Sequence, residues 1–211
     1  MVKMKLLSII VPVYNQEDLI VRALDSIPKR EDIEVIVVND ASTDSTLEKV
    51  AQWIFQNNCI FDIKYISLHE NKGLGNAKNV GFDNAEGEYV NQLDSDDYLI
   101  TENYEKVINE LDGTDIVYSN IEINSGDIFD INKDNQSQFC SGCARFIRRE
   151  FLGDTRCPTI RATEDWHLNE KLQKKPHTDK FTGIVSYHYN FPREGSLYDQ
   201  FIKGELEIEV E

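Results

Sequence analysis

The chain has 211 residues, 40% of them hydrophobic, which is enough for one well-packed core and too little for two independent domains. Its 38 Asp and Glu against 22 Lys and Arg give a net charge of −16, which argues against broad electrostatic attachment to nucleic acid or anionic lipid. Four cysteines at irregular positions make no disulfide framework, and residues 1–5 run into a strand instead of a signal-peptide core, so a reduced, cytoplasmic setting is expected.

Residues 6–13 form a near-continuous apolar run, the pattern of a central strand buried on both faces. Asn15 is placed to cap a helix in which Leu19, Ile20, Ala23, Leu24 and Ile27 recur at helical spacing before Pro28 stops it. A second strand follows at 33–39. Ser45 and Glu48 have the spacing of a capping box, and Leu47, Val50, Ala51, Ile54 and Phe55 are expected to form the inward stripe of the next helix. A third strand at 63–68 and a helix at 75–85 lead to a fourth strand at 89–93. This alternation predicts an α/β fold, with a mainly parallel sheet covered by helices on both faces.

Beyond Tyr98 the pattern loosens. It predicts a helix at 102–111, a strand at 115–120, a hairpin or edge strand around Ser125-Gly126 and a polar loop over 130–138. Helices at 145–151 and 165–173 and a strand at 183–189 complete the body before an acidic tail, 204–211. No repeat, no Pro- or Gly-rich linker and no apolar stretch near the roughly 20 residues of a membrane span interrupts it. Membrane contact is therefore expected to be peripheral.

The fourth strand ends in Asp94-Ser95-Asp96-Asp97, three nearly adjacent carboxylates that repel one another unless something positive joins them. In open α/β sheets the ligand crevice lies beyond the carboxyl ends of the strands. A hard divalent ion held there by one or two Asp oxygens and by substrate phosphates would relieve the repulsion. The competing reading is a solvated turn whose Asp and Ser cap the next helix.

Other motifs fall on the same sheet edge: Pro12-Val13-Tyr14-Asn15-Gln16-Glu17 after the first strand and Asn39-Asp40-Ala41-Ser42-Thr43-Asp44 after the second. Asn71-Lys72-Gly73, with Ala77, Asn79 and Gly81, follows the third. With Glu164-Asp165-Trp166 and the segment from Ser141-Gly142-Cys143-Ala144 to Phe151, this combination resembles the family 2 glycosyltransferases of the GT-A fold. The resemblance is specific to about residue 98 and weaker through Ser196. It implies one GT-A-like domain: a nucleotide-sugar-binding half at 1–98, an acceptor-binding half at 99–196 and a tail at 197–211. The implied reaction moves a sugar from a nucleoside diphosphate, most simply UDP, to an acceptor hydroxyl.

Each residue also has a chemical reading. Asp40 can accept the imide N–H of uracil, Tyr14 offers an aromatic face beside Pro12, and Glu17 offers a carboxylate to ribose hydroxyls. Asp40 and Asp44 also suit capping of the second helix. Lys78, where the family commonly has Arg, supplies a charge for a phosphate or a solvated helix face. By resemblance, Asp94 and Ser95 would lie near the ribose and Asp96 would ligate a bridging Mn²⁺ or Mg²⁺, with Asp97 ambiguous. Asp165 matches the family's base, which would invert the anomeric centre by direct displacement. Glu164, Trp166, His188 and Arg193 are acceptor or diphosphate candidates. His188 is a second metal candidate, although a His between two tyrosines is usually a packed or surface residue.

A dinucleotide fingerprint is absent, because Gly73, Gly75 and Gly81 have the wrong spacing and the first strand leads into Pro12 and Tyr14. Cys140 and Cys143 have a zinc-knuckle spacing without a second close pair, so all four cysteines read as reduced thiols. The rivals to a transferase are a sugar-nucleotide-binding protein without chemistry and a nucleotidyltransferase. The latter would need a Gly-rich basic triphosphate loop that this sequence lacks.

Overall fold

The computed structural model describes residues 5–58, 60, 62–136, 142–160, 163–194 and 203. Ser141, Cys59, Cys140, Ser196, the end of the polar loop and the expected acidic tail lie outside them.

The strands are β1 (Leu7–Val13), β2 (Ile33–Asn39), β3 (Asp62–Ser67), β4 (Tyr89–Gln92), β5 (Tyr98–Leu99), β6 (Ile116–Ile123), β7 (Ile128–Phe129), β8 (Arg145–Arg148) and β9 (Asp179–Tyr189). The helices are α1 (Ile20–Asp25), α2 (Thr46–Asn57), α3 (Leu74–Asp83), α4 (Thr101–Ile108), α5 (Arg149–Leu152) and α6 (Glu164–Gln173), with a 3-10 turn at Gly142–Ala144. One mixed sheet runs in the order β3-β2-β1-β4-β8-β6-β9-β5, and β7 pairs with β6. β3, β2, β1 and β4 are parallel; β8 joins β4 and β6 antiparallel, and β9 lies parallel to β6. The chain moves outward from β1 to β3 and then crosses back to place β4 on the other side of β1. That reversal opens the ligand crevice of α/β folds beyond the ends of β1 and β4.

Period-two alternation along the buried strands builds a core on each face of the sheet. Ile9, Val11, Val35 and Val37 pack with Leu24, Val50, Trp53 and Tyr104 on one face. Ile10, Ile36, Val38 and Val90 pack with Ala77, Phe82, Leu168 and Leu172 on the other. Gly81 lets α3 lie directly on Ile10, since a Cβ there would overlap that side chain.

Several local expectations are corrected. Residues 145–151 do not form one helix: β8 occupies Arg145–Arg148, with Phe146 in one core and Ile147 in the other, and only α5 is helical. Strand pairing to β4 and β6 overrides the local helical pattern. In α2 the inward residues are Thr46, Val50 and Trp53, while Leu47 is exposed and Phe55 is 82% exposed. Asp44, not Ser45, caps that helix by accepting the Thr46 N–H at 3.0 Å. Asn15 caps nothing: it sits at φ 49°, and its Oδ1 accepts the Thr43 N–H at 2.8 Å.

Candidate active site

The loops after β1 and β2 are stitched into one surface by side-chain acceptors. Glu17 N–H donates to Asp44 Oδ2 at 3.2 Å, and Ser45 N–H donates back to Glu17 Oε2 at 3.0 Å. Tyr14 stands at the crevice mouth, 43% exposed, next to buried Pro12. Asp40 is buried, and its two oxygens accept the N–H groups of Lys72 at 2.9 Å and Gly73 at 2.8 Å. Those bonds fix the turn into α3, where Gly73 takes φ 89°, a value that favours glycine. Asp40 is thus first an anchor for the Asn71-Lys72-Gly73 loop, and each oxygen keeps a second lone pair.

The acidic end of β4 is divided by its surroundings. Asp97 is fully buried, with Oδ2 accepting the Tyr187 hydroxyl at 2.7 Å and Oδ1 accepting the Asn190 N–H at 2.8 Å. Burial, reinforced by Asp94 and Asp96, pushes Asp97 up to about 8 despite those bonds. Burial likewise lifts Asp94 to about 7; the Lys78 ammonium opposes the rise, and Asp165, Asp96 and Glu164 add to it. Asp94 Oδ1 is buried without a hydrogen-bond partner. Asp96 is partly exposed: its Oδ2 lies 2.6 Å from Arg193 Nη2, and its backbone carbonyl accepts Arg22 Nη2 at 2.6 Å. Arg22 also sits over the Tyr98 ring, 5.0 Å from its centroid.

Facing this cluster is the start of α6. Lys78 Nζ is 2.8 Å from Glu164 Oε1 and 2.8 Å from Asp165 Oδ1, and its side chain is buried. Burial opposes the Lys78 charge, but Asp165, Glu164 and Asp94 together hold it protonated well above the usual lysine range. The sequence offered Lys78 as a phosphate contact or a solvated residue; its ammonium instead bridges the two carboxylates that open α6. Asp165 Oδ2 also accepts the Gly142 N–H at 3.1 Å, so the 3-10 turn and α3 hold one carboxylate from two sides. Gly75 makes this approach practicable, because a Cβ there would lie 3.2 Å from Glu164 Cβ and closer still to the Pro158 carbonyl.

His188 makes its described contacts outside the acidic cluster. Its ring stacks on Tyr98 at 4.4 Å between centroids, and Nε2 lies 3.0 Å from Asn124 Oδ1. Burial lowers its pKa, which is consistent with a neutral packed imidazole. Trp166, 45% exposed, points away from the core and meets only the edge of His167 among the described aromatic contacts. Sequence reading missed Arg22 and Asn91. Asn91 ties β4 to the 3-10 turn by donating to the carbonyls of Cys143 at 3.0 Å and Arg145 at 2.9 Å. A lone Arg in a short helix and an amide in a strand carry no sequence signal for such roles.

The donor set suits a hard ion that takes few protein ligands. Among the described residues no three His, Cys, Asp or Glu side chains gather as a complete metal cluster. Asp96, with Asp94 Oδ1 beside it as a buried oxygen without a partner, matches the one or two carboxylates of a Mg²⁺- or Mn²⁺-type site completed by phosphates.

The fold matches that of solved GT-A glycosyltransferases. The chain superposes on Staphylococcus aureus TarS 1–349 in complex with UDP-GlcNAc with a TM-score of 0.76 and 26% identity, covering 90% of this chain and 60% of that one. The mannosyltransferase PcManGT of Pyrobaculum calidifontis, solved with GDP-Man and Mn²⁺, shares the fold at a TM-score of 0.72 and 21% identity, over 100% of this chain and 67% of that one. In sequence, the chain is 27% identical to the glycosyltransferase GlyA of Streptococcus pneumoniae over 90% of its length. It is 30% identical to the minor teichoic acid biosynthesis protein GgaB of Bacillus subtilis over 93%. It spans only 31% and 24% of those two proteins. No helix among the described residues is long and apolar enough to cross a membrane. The family model described as glycosyl transferase family 2 matches residues 8–162, from β1 to just before α6, and the chain belongs to that family.

Proposed function

We propose that this chain is the transfer module of a metal-dependent, inverting glycosyltransferase that takes a UDP-sugar and glycosylates an acceptor hydroxyl. The observation that carries this reading is the facing pair of clusters at the switch point. An acidic strand end with a buried unpartnered oxygen lies opposite Asp165, held by Lys78 and Gly142.

Within that reading the residues divide their work. Tyr14 and the residual acceptor capacity of Asp40 receive the base, Glu17 the ribose, and Asp94 and Ser95 the donor's sugar-proximal hydroxyls. Asp96 would hold the ion, which when bound neutralises charge on the departing diphosphate. Arg193 and Arg22 hold Asp96 from its side chain and backbone and so orient it. Asp165 takes the acceptor proton as the new bond forms, and Lys78 is a positioning residue that fixes this carboxylate instead of meeting a phosphate itself. The UDP-GlcNAc bound to the TarS neighbour supports a uridine donor. The nucleotide is set by the loops after β1 and β2, the acceptor by α6 and β9.

A donor screen tests this reading directly. Purified protein is incubated with UDP-, GDP- and CDP-sugars, with Mn²⁺ or EDTA, and release of nucleoside diphosphate is measured. Mn²⁺-dependent UDP release from one donor is expected. Binding of a UDP-sugar with no release, across a broad acceptor panel, would leave a binding protein instead.

A further inference from the structure

One residue beyond Asp165, the outer face of α6 carries a depression of about 240 Å³ lined by Trp166, Asn169, Glu170, Gln173 and Lys174. Two of its polar members, Asn169 and Gln173, are held from behind, and the other two pair with each other at the surface. Arg145 donates to Asn169 Oδ1, Gln173 Nε2 donates to the Tyr118 hydroxyl at 3.1 Å, and Lys174 Nζ reaches Glu170 Oε1 at 2.8 Å. The result is an exposed indole beside the anchored Gln173 amide, the buried Asn169 and a surface ion pair that cancels its own charge.

That combination fits one ligand chemistry best. An indole face accepts the C–H face of a pyranose, while amides and a paired carboxylate meet hydroxyls. A phosphate would meet Glu170 without an uncompensated cation, and an apolar chain would cover the amides without satisfying them. Position narrows it further. At 1.5 Å of rise per residue, Gln173 lies about 12 Å along the helix from Asp165, the reach of a short saccharide.

We propose that this depression is a distal acceptor subsite that binds a neutral pyranose unit adjoining the one whose hydroxyl is glycosylated. It rests on the transferase reading and adds that the acceptor is a glycan chain, not a small alcohol. The anchored side chains mean that little ordering is required on binding, so a shallow site is enough to favour longer acceptors.

Saccharide binding without turnover tests the subsite separately from transfer. Calorimetry with the full chain would use cellotetraose, chitotetraose and maltotetraose against the corresponding methyl glycosides. At least one tetrasaccharide should bind about tenfold more tightly than its methyl glycoside, and Trp166→Ala should remove about that factor. Trp166→Phe should recover much of it, with thermal transitions showing that both variants are folded. In the wild-type protein, which has two tryptophans, the same titration should change the emission of exposed Trp166, while Trp53 stays buried in the core. Absence of binding by all three tetrasaccharides, or binding undiminished in Trp166→Ala, would overturn the subsite. Failure of the donor screen with saccharide binding intact would instead count against transfer.

Discussion

Two buried carboxylates at opposite ends of the sheet show how the same group is tied down in one place and left partly unpartnered in another. Glu34, near the amino end of β2, is completely enclosed, with Oε1 hydrogen-bonded three times and Oε2 met by an ion pair. Its Oε1 accepts the Ser8 hydroxyl at 2.5 Å and the N–H groups of Glu86 at 2.5 Å and Gly87 at 3.0 Å, and Lys64 Nζ lies 3.1 Å from Oε2. Asp94, at the carboxyl end of β4, is also buried but keeps an unpartnered oxygen, three acidic groups acting on it and a raised pKa. The first carboxylate locks β1, β2 and the turn into β4 together; the second stores repulsion that a bound cation or hydroxyl can relieve. The sheet is closed electrostatically at one end and left open at the other.

The largest expected effect separates chemistry from scaffold. Asp165→Asn keeps the Gly142 contact available and leaves Lys78 paired with Glu164, so donor affinity should be retained while transfer falls by roughly 10²–10⁴-fold. Glu164→Gln should be milder. Single-turnover transfer, measured beside UDP-sugar binding, decides it; wild-type transfer in Asp165→Asn removes it as the base.

At the closed end the order reverses. Glu34→Ala leaves the buried Ser8 hydroxyl and the Glu86 N–H without their acceptor, although the Gly87 N–H keeps Ser8 Oγ, and should cost about 3 kcal/mol of stability, as when one partner of a buried pair is removed. Urea unfolding would measure the loss, and UDP affinity of the folded protein should not change. A matching drop in affinity without loss of stability would show that the two ends are not separate in function.

The two ends were unequally legible in the sequence. The acidic end announces itself because Asp94, Asp96 and Asp97 follow an apolar strand, and Asp165 opens a periodic helix; both patterns are local. The GT-A fold came from the family resemblance, whereas the α/β class and the positions of the first four strands along the chain were readable for the same reason. The partners were not. Glu34 finds Gly87 53 positions away, and Lys78 finds Glu164 86 positions away, so only the folded topology reveals those pairs. Residues 145–151 were misread because burial on both faces of a central strand erases the alternation that marks half-exposed strands. Phe55, apolar yet exposed, misled the α2 stripe, while Trp53 anchored it.

A smaller effect sharpens the role of the open end. Asp96 touches Arg193 and is partly exposed, so Asp96→Ala should leave the fold intact. If it holds the ion, UDP binding should weaken about tenfold, or about 1.4 kcal/mol, in Mn²⁺ and change little in EDTA. Calorimetry in both conditions checks this, and an equal loss in each would assign Asp96 to structure.

The smallest effect is a pH dependence of stability, and its sign follows from the raised carboxylates. Asp94 and Asp97 sit near 7 and 8 when folded, against 3.8 as the ordinary value, so between those limits the native state binds more protons than the unfolded chain. Stability from this pair is therefore fully present below about pH 4 and is lost as pH rises through 7 to 8. In EDTA, the unfolding midpoint should fall from pH 5 to pH 8, each kcal/mol moving it by roughly 2–4 °C in a chain of this size. Asp97→Asn can still accept the Asn190 N–H and donate to the Tyr187 oxygen, so it should fold with that slope flattened. At the closed end, Glu34→Gln should leave the slope in place. A slope unchanged by Asp97→Asn would mean that the acidic end is neutralised by another route, and that the contrast between the two carboxylates lies in geometry and not in charge.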